Sequence, residues 1–347
     1  MKIISNPHRA GQKLAPSIPY PSTDAARVAA LLSHCPAATK TPLVDAGALA
    51  PVSRLWVKDE RKRMNLGSFK ALGAAYVIAR HAAEKSDQPG PGTLAGATYI
   101  TASAGNHGMS VAAGARMFGA KAVVHIADTV PESFADRLRA QGAEVVRCGA
   151  DYAASMEAAS AAARDNGWIL LSDSSWDGYF ELPYILMEGY VQMAAEAAEQ
   201  CPEVPTHILL QAGVGGLAGA VAAYARKVWG DAPKIIVVEP EAAPALQASI
   251  AAGKCVFADG PDSVMGRLDC KEPSLIALNG LARDADLFLT LSDDDVSARL
   301  GAMAEAGLET TASGGAGLAA VMNGEARKAM SIDEHSRVLC ILSEIAE

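Results

Sequence analysis

The stretch ATYITASAGNHGMSVAAGARMFGAKAVVHIA, residues 97–127, decides the fold. ATYI (97–100) is a short apolar run expected to be a strand, and Asn106 to Phe118 has the pattern of a helix. KAVVHIA (121–127) is β-branched and apolar, hence a second strand. Strand, helix and strand in that order form one βαβ unit on a parallel sheet. Ligands of such units sit beyond the carboxyl ends of the strands, which is where the hydroxyl- and glycine-rich turn TASAGNHG (101–108) falls.

The same alternation continues outward. SFADRLRAQG (133–142) reads as an amphipathic helix ending on Gly142, AEVVRC (143–148) as a strand, Asp151 to Asn166 as a long helix and WILL (168–171) as a strand. A second series follows: helix 184–200, strand HILLQA (207–212), helix 217–229, strand KIIVVEP (234–240) and a last strand RVLCILS (337–343). Two α/β lobes with a cleft between them account for both series.

Composition excludes several classes. The 347 residues suggest about two domains. Half are apolar, and the net charge is −9 without any Lys/Arg block, which speaks against nucleic acid and anionic membranes as partners. The six cysteines form no C-x-x-C pair, so neither a zinc site nor a disulfide framework is expected, and reduced, mostly buried thiols are. No metal ligand set emerges. The N-terminus turns polar after four residues, unlike a signal peptide, and no apolar run reaches the length of a membrane span, so a cytoplasmic enzyme is expected.

Four segments carry chemistry. In NLGSFK (65–70) a small-residue turn places Lys70 at an expected helix start, where backbone dipoles lower an amine's pKa and suit it to Schiff-base formation. In the 101–108 turn, hydroxyls and N–H groups can hold an anion such as an α-carboxylate, and Asn106 can donate to a phenolate oxygen. QAGVGGLAG (211–219) lets backbone N–H groups approach a phosphate. That loop has a rival reading: Gly213, Gly215 and Ala218 with Glu239 match a dinucleotide fingerprint, the mark of a nicotinamide oxidoreductase. Finally, SDSSWDGY (172–179) sets Asp173 at a strand's end beside Trp176 and Tyr179, as a partly desolvated base would be. His125 reads as a hydrogen-bonded core residue, Asp293–Asp295 as a helix N-terminus and Gly314–Gly315 as a turn facing the cleft.

Taken in order, these segments resemble the fold-type II (tryptophan synthase β-like) pyridoxal-phosphate enzymes, and within them the diaminopropionate ammonia-lyase family. NLGSFKALGAAY (65–76), SDSSWDGYFELPYILMEGY (172–190) and PTHILLQAGVGGLAGAV (205–221) carry the likeness, which runs from about residue 40 onward. The resemblance implies two open twisted parallel-sheet lobes: a small mobile domain, 67–175, and a large cofactor-binding domain, 1–66 plus 176–347. It implies pyridoxal 5'-phosphate held as a Schiff base on Lys70, with Gly213, Val214, Gly215, Gly216 and Leu217 cradling the phosphate. Asn106 would face the ring oxygen, and the hydroxyl of Ser343 would face the pyridine nitrogen, leaving it unprotonated. Ser103, Ala104, Gly105 and His107 would line the substrate side, and Asp173 would take the Cα proton of an L-substrate.

The sequence departs from the family in three places. Ala104 stands where the family carries the aspartate that serves the D-isomer, Asp177 replaces a glutamate, and the chain is short after Ser343. The expected reaction is an elimination converting L-2,3-diaminopropionate into pyruvate and two molecules of ammonia, with little activity on the D-isomer. Because Ala104 also makes the turn resemble Ser-Ala-Gly-Asn-His of serine/threonine dehydratases, a hydroxylated substrate is the alternative. A homodimer is expected.

Overall fold

A computed structural model describes residues 1–346. Its strands are β1 (Ile3–Ser5), β2 (Leu43–Asp45), β3 (Arg54–Asp59), β4 (Thr98–Ala102), β5 (Lys121–Ile126), β6 (Glu144–Arg147), β7 (Ile169–Leu170), β8 (His207–Gln211), β9 (Lys234–Pro240), β10 (Leu287–Leu291) and β11 (Arg337–Leu342). They form two sheets. The smaller, in order β6-β5-β4-β7, is parallel throughout. In the larger, β1-β10-β9-β8-β11-β3-β2, the five inner strands are parallel and the edge strands β1 and β2 run antiparallel.

The βαβ unit read from residues 97–127 is present. The helix Asn106–Phe118 starts and stops as expected, closed by Gly119 at φ 76°. Asp151 caps the helix Tyr152–Asn166 by accepting from the Ala154 N–H. Strand β8 is buried along its whole length, as a central parallel strand covered on both faces must be. The expected strand 168–171 shortens to the two residues of β7.

Other expectations are corrected. β1, β2, β3 and β10 lie outside the expected alternation: β1 and β2 are three-residue edge strands, β3 has no α-helix directly beside it in sequence, and β10 is a five-residue run between two helices. Gly314–Gly315 lie inside the helix Ala312–Met322, not in a turn, because Thr311 caps that helix by accepting from the Gly314 N–H. Of the six cysteines, all free, only Cys340 is fully buried. His125 is buried, but its Nδ1 has no partner among the described residues, so the expected core hydrogen bond is not made there. The three aspartates 293–295 do begin a helix, capped by Ser292.

A buried charge network ties the large sheet to the helix Glu181–Gln200. Lys58 on β3 donates to Glu196 Oε2 (2.7 Å), Gln200 Oε1 (2.8 Å) and the Thr41 carbonyl (2.7 Å). Arg63 donates to Glu60 and to both oxygens of Glu196. Every donor of the Lys58 ammonium thus has an acceptor, which is what permits a charge to be buried at all.

Candidate active site

Lys70 is placed by the end of β11. Beyond Leu342, the Ser343 carbonyl accepts from the Phe69 N–H (3.0 Å), Ser68 bridges Glu344, and the Gly67 carbonyl accepts from the Ile345 N–H (2.9 Å). The segment before Lys70 is therefore strapped to the centre of the large sheet, with Gly67 taking the left-handed turn (φ 81°) that this requires. Lys70 itself lies in a 3-10 turn, Phe69–Leu72, and the α-helix begins only at Ala74. The ammonium sits 5.2 Å from the Phe69 ring centre and 5.8 Å from that of Tyr190.

Its partner is Asp173: Nζ donates to Oδ2 at 2.6 Å across 103 residues of sequence. Burial opposes the charge on Lys70, but the adjacent carboxylate outweighs it and holds the amine above its ordinary range. The expected lowering by helix dipoles is therefore reversed, because a full charge at contact exceeds the partial charges of a short turn. Asp173 is correspondingly held below the usual carboxylate range, its desolvation outweighed by Lys70.

The turn carrying Asp173 is clamped on both sides. The Tyr179 hydroxyl donates to the Leu170 carbonyl (2.8 Å) and accepts from the Ser172 N–H (3.0 Å), while its ring stacks on Trp176 at 4.4 Å. The Ser175 and Ser274 hydroxyls pair at 2.7 Å, and the Ser274 N–H donates to the Val214 carbonyl at 2.9 Å. Through these bonds the Asp173 turn and the glycine loop share one support.

That loop, Gly213 to Leu217, leads from β8 into the helix Gly216–Trp229. Gly215 has φ 96°, and a Cβ there would lie 2.9 Å from the Ala277 Cβ. A Cβ on Gly213 would lie 2.9 Å from the Cys270 sulfur. Glycines keep the backbone low, and the first-turn N–H groups are left for an anion. A phosphate fits this arrangement.

On the opposite side, Ser103, Ala104 and Gly105 are partly exposed between β4 and the helix Asn106–Phe118. His107 is buried, with Nε2 2.8 Å from the Leu171 carbonyl, and its Nδ1 has no partner among the described residues. Desolvation lowers its pKa, so the ring is neutral; Nε2 then donates to the carbonyl and Nδ1 carries a lone pair. Asn106 donates from Nδ2 to Glu344 Oε2 at 2.6 Å. Lys70, Asp173, Asn106 and His107 are thus tied to the ends of β7 and β11, and Ser343 lies between the bridge at Ser68 and the Gly314 carbonyl, which accepts from its N–H at 3.2 Å.

The rival nicotinamide reading is overturned at Glu239. Its two oxygens accept from the Leu246 N–H (2.7 Å) and the Gln247 N–H (2.8 Å), and the residue is fully buried at a helix start, where no ribose could reach it. The sequence reading also missed residues that join the site only in three dimensions. These are Glu344, Arg267, Cys270, whose thiol desolvation and the Asp173 charge push up to about 12, and Tyr152, the exposed first residue of the helix Tyr152–Asn166, within electrostatic reach of Asp173 and Lys70. The pair Ser-Glu right after the last strand was the one local signal for Glu344.

The cofactor fits the residues present: an amine for its aldehyde, a glycine cradle at a helix N-terminus for its phosphate, and a buried unpartnered imidazole nitrogen beside them. Comparison with known proteins agrees. Residues 35–344 match the family model described as pyridoxal-phosphate dependent enzyme. Diaminopropionate ammonia-lyase of Salmonella typhimurium is 35% identical over 260 residues, 68% of this chain and 64% of that enzyme, so the match spans just under two thirds of the relative's length. Human L-serine dehydratase/L-threonine deaminase is 29% identical over 274 residues, 78% of each chain. The crystal structure of Escherichia coli diaminopropionate ammonia-lyase in complex with an aminoacrylate-PLP azomethine reaction intermediate superposes with a TM-score of 0.85, at 28% identity, over 99% of this chain and 93% of that one. By the family match and the fold together, the chain belongs to the pyridoxal-phosphate-dependent enzymes of fold-type II.

Proposed function

We propose that the enzyme eliminates the β-amino group of L-2,3-diaminopropionate, giving pyruvate and two molecules of ammonia. The observation that carries this reading is the Lys70–Asp173 pair, an amine and a carboxylate 2.6 Å apart in a cleft bounded by a phosphate loop and a Ser/Asn turn. Bound cofactor supplies an electron sink for the substrate's Cα. Lys70 is the residue that holds it, and the Gly213–Leu217 backbone grips the phosphate. Lys70 would hold the cofactor through its amine until the substrate's amine takes that place, and Asp173, whose carboxylate lies beside it, would be placed to accept the Cα proton. The Ser103 hydroxyl and the backbone N–H groups of Gly105 and His107 bind and orient the substrate's carboxylate end, and Ser343 meets the ring nitrogen without charging it.

Ala104 offers a methyl group and no proton acceptor where the family's aspartate serves the D-isomer, and Asp173, or Lys70 once freed, is the base for the L-isomer. Turnover is therefore confined to the L-isomer. A dehydratase acting on serine, threonine or a hydroxyaspartate is the second reading, favoured by the same Ala104 and by the likeness to the human dehydratase. Residues 67–175 act as the mobile lobe against 1–66 and 176–347, and the enzyme works as a cytoplasmic homodimer; among the described residues no helix is long and apolar enough to cross a membrane.

Pyruvate release from cofactor-loaded enzyme tests the reading, with L- and D-diaminopropionate, L-serine, L-threonine and 3-hydroxyaspartate compared in parallel. Fast turnover of L-diaminopropionate alone is expected. Preference for a hydroxylated substrate selects the second reading, and equal rates on the D-isomer remove the role given to Ala104.

A further inference from the structure

Glu344 is a buried carboxylate that none of the proposed steps uses. It follows Ser343 directly and is only 3% exposed. Its Oε2 accepts from Asn106 Nδ2 at 2.6 Å, its Oε1 accepts from Arg267 Nη1 at 2.7 Å and from the Thr311 hydroxyl, and its backbone carbonyl accepts from the Thr310 hydroxyl. These donors come from separate elements: the first residue of the helix after the Ser/Asn turn, a loop of the large lobe, and the cap of the helix Ala312–Met322. Arg267 in turn lies beside Gly105, where an added Cβ would be 3.8 Å from its Nε.

We infer that Glu344 is a positioning residue, which fixes the orientation of the Asn106 amide so that the amide presents an N–H to the cofactor's ring oxygen. The reason is the chemistry of the pair. An ionised carboxylate only accepts, so its partner on Asn106 has to be the NH2 group and never the carbonyl oxygen. One of the two amide hydrogens is committed to Glu344, and the amide cannot flip without setting two acceptors against each other at contact distance. The second hydrogen of the same nitrogen is left for the ring oxygen. A glutamine at 344 removes the constraint, because its own NH2 can pair with the Asn106 carbonyl oxygen and let the amide turn over. The Arg267 guanidinium, 2.7 Å from Oε1, is the countercharge of this buried carboxylate.

The inference rests on the proposed role of Asn106 toward the cofactor, and the test separates the two. Glu344→Gln, Asn106→Ala and the double variant are loaded with pyridoxal phosphate and compared with the parent protein by visible absorbance against pH and by cofactor titration. Each single variant is expected to shift the absorbance titration in the same direction and to weaken cofactor binding about tenfold, the scale of one charge-assisted hydrogen bond. The double variant is expected to be no weaker than either single, since both remove one interaction. A purely structural Glu344 would give additive losses and an unshifted titration, and that result overturns the inference. If Glu344→Gln does not fold, Glu344→Asp replaces it: it keeps the charge facing Arg267 but draws back from Asn106 by one methylene, and it has to reproduce the Asn106→Ala spectrum. Failure of both to fold makes Glu344 a packing residue and overturns the inference as well. If the parent protein develops no visible band with the cofactor, the proposed function fails first. If it does and Asn106→Ala leaves the band unchanged, only the present inference falls.

Discussion

Two lysine–carboxylate pairs in this protein have nearly the same length and opposite characters. Lys58 and Glu196 meet at 2.7 Å with side-chain exposures of 0% and 2%; Lys70 and Asp173 meet at 2.6 Å with 21% and 18%. Lys58 is embedded in a set of acceptors that uses all three of its donors, and burial still lowers its pKa. Lys70 has Asp173 as its hydrogen-bond acceptor and aromatic faces around it, and its pKa is raised. Contact distance alone therefore does not separate an ion pair sealed in the core from one that a ligand can reach. What separates them is whether the lysine has donors to spare and a path to solvent: the first pair cannot exchange partners without unfolding its surroundings, and the second can give up its proton to a ligand.

The comparison can be broken at either pair, and the largest effect belongs to the cleft. Lys70→Ala is expected to abolish the visible absorbance of the cofactor-loaded protein and to lower turnover more than about a thousandfold, while the thermal melt of the cofactor-free protein stays close to that of the parent. Unchanged absorbance would show that the amine is elsewhere. Asp173→Asn should retain the cofactor and lose about 10²- to 10⁴-fold in kcat on the L-substrate, the usual worth of a positioned base. Survival of full turnover would pass the proton step to Lys70.

At the buried pair the effect moves from chemistry to stability. Glu196→Ala leaves Lys58 and Arg63 without their shared carboxylate and is expected to cost about 3–5 kcal/mol in urea unfolding, with turnover per folded molecule retained. The same network sets an acid limit. Burial opposes the charge on Glu196, but Arg63 and Lys58 depress its pKa from 4.5 to about 2, so its contribution is fully present above about pH 4.5 and lost as the pH falls toward 2. Melts between pH 6 and pH 2 should show that loss in the parent and a flatter profile in Glu196→Gln. Tyr179→Phe is the smallest change: it removes one hydroxyl that holds the Asp173 turn, worth about 1 kcal/mol, and should reduce kcat a fewfold without affecting cofactor binding.

Much of the fold is legible in the sequence. The helix Asn106–Phe118 and β9 (Lys234–Pro240) have the expected limits because Gly119 and the Val/Ile run mark them locally. The loop from Gly213 to Leu217 was legible as a turn between a strand and a helix because an apolar run, a glycine cluster and an alanine-rich helical stretch follow one another there. Less was legible where local pattern and tertiary setting disagree. The local pattern around Lys70 points to the head of a helix, whereas the residue lies in a 3-10 turn strapped to β11. The paired glycines at 314–315 point to a turn, whereas Gly314 sits in a helix, where a Cβ would come within 2.3 Å of the Thr310 hydroxyl and 2.8 Å of the Glu344 side chain.

The sequence by itself determined the alternation of strands and helices, the glycine loop between β8 and its helix, and the lysine segment. Backbone periodicity, glycine conformations and helix termini are local properties, carried by neighbouring residues. Only the tertiary structure decided that Asp173 would face Lys70, that Asn106 would be held by Glu344 from 238 residues away, and that Glu239 would be sealed off as a helix cap. Those partners depend on sheet order, in which β11, the last strand in sequence, sits between β8 and β3 and brings the end of the chain against the turn of Lys70. Strand order is a long-range choice among packings, and no short stretch of sequence encodes it.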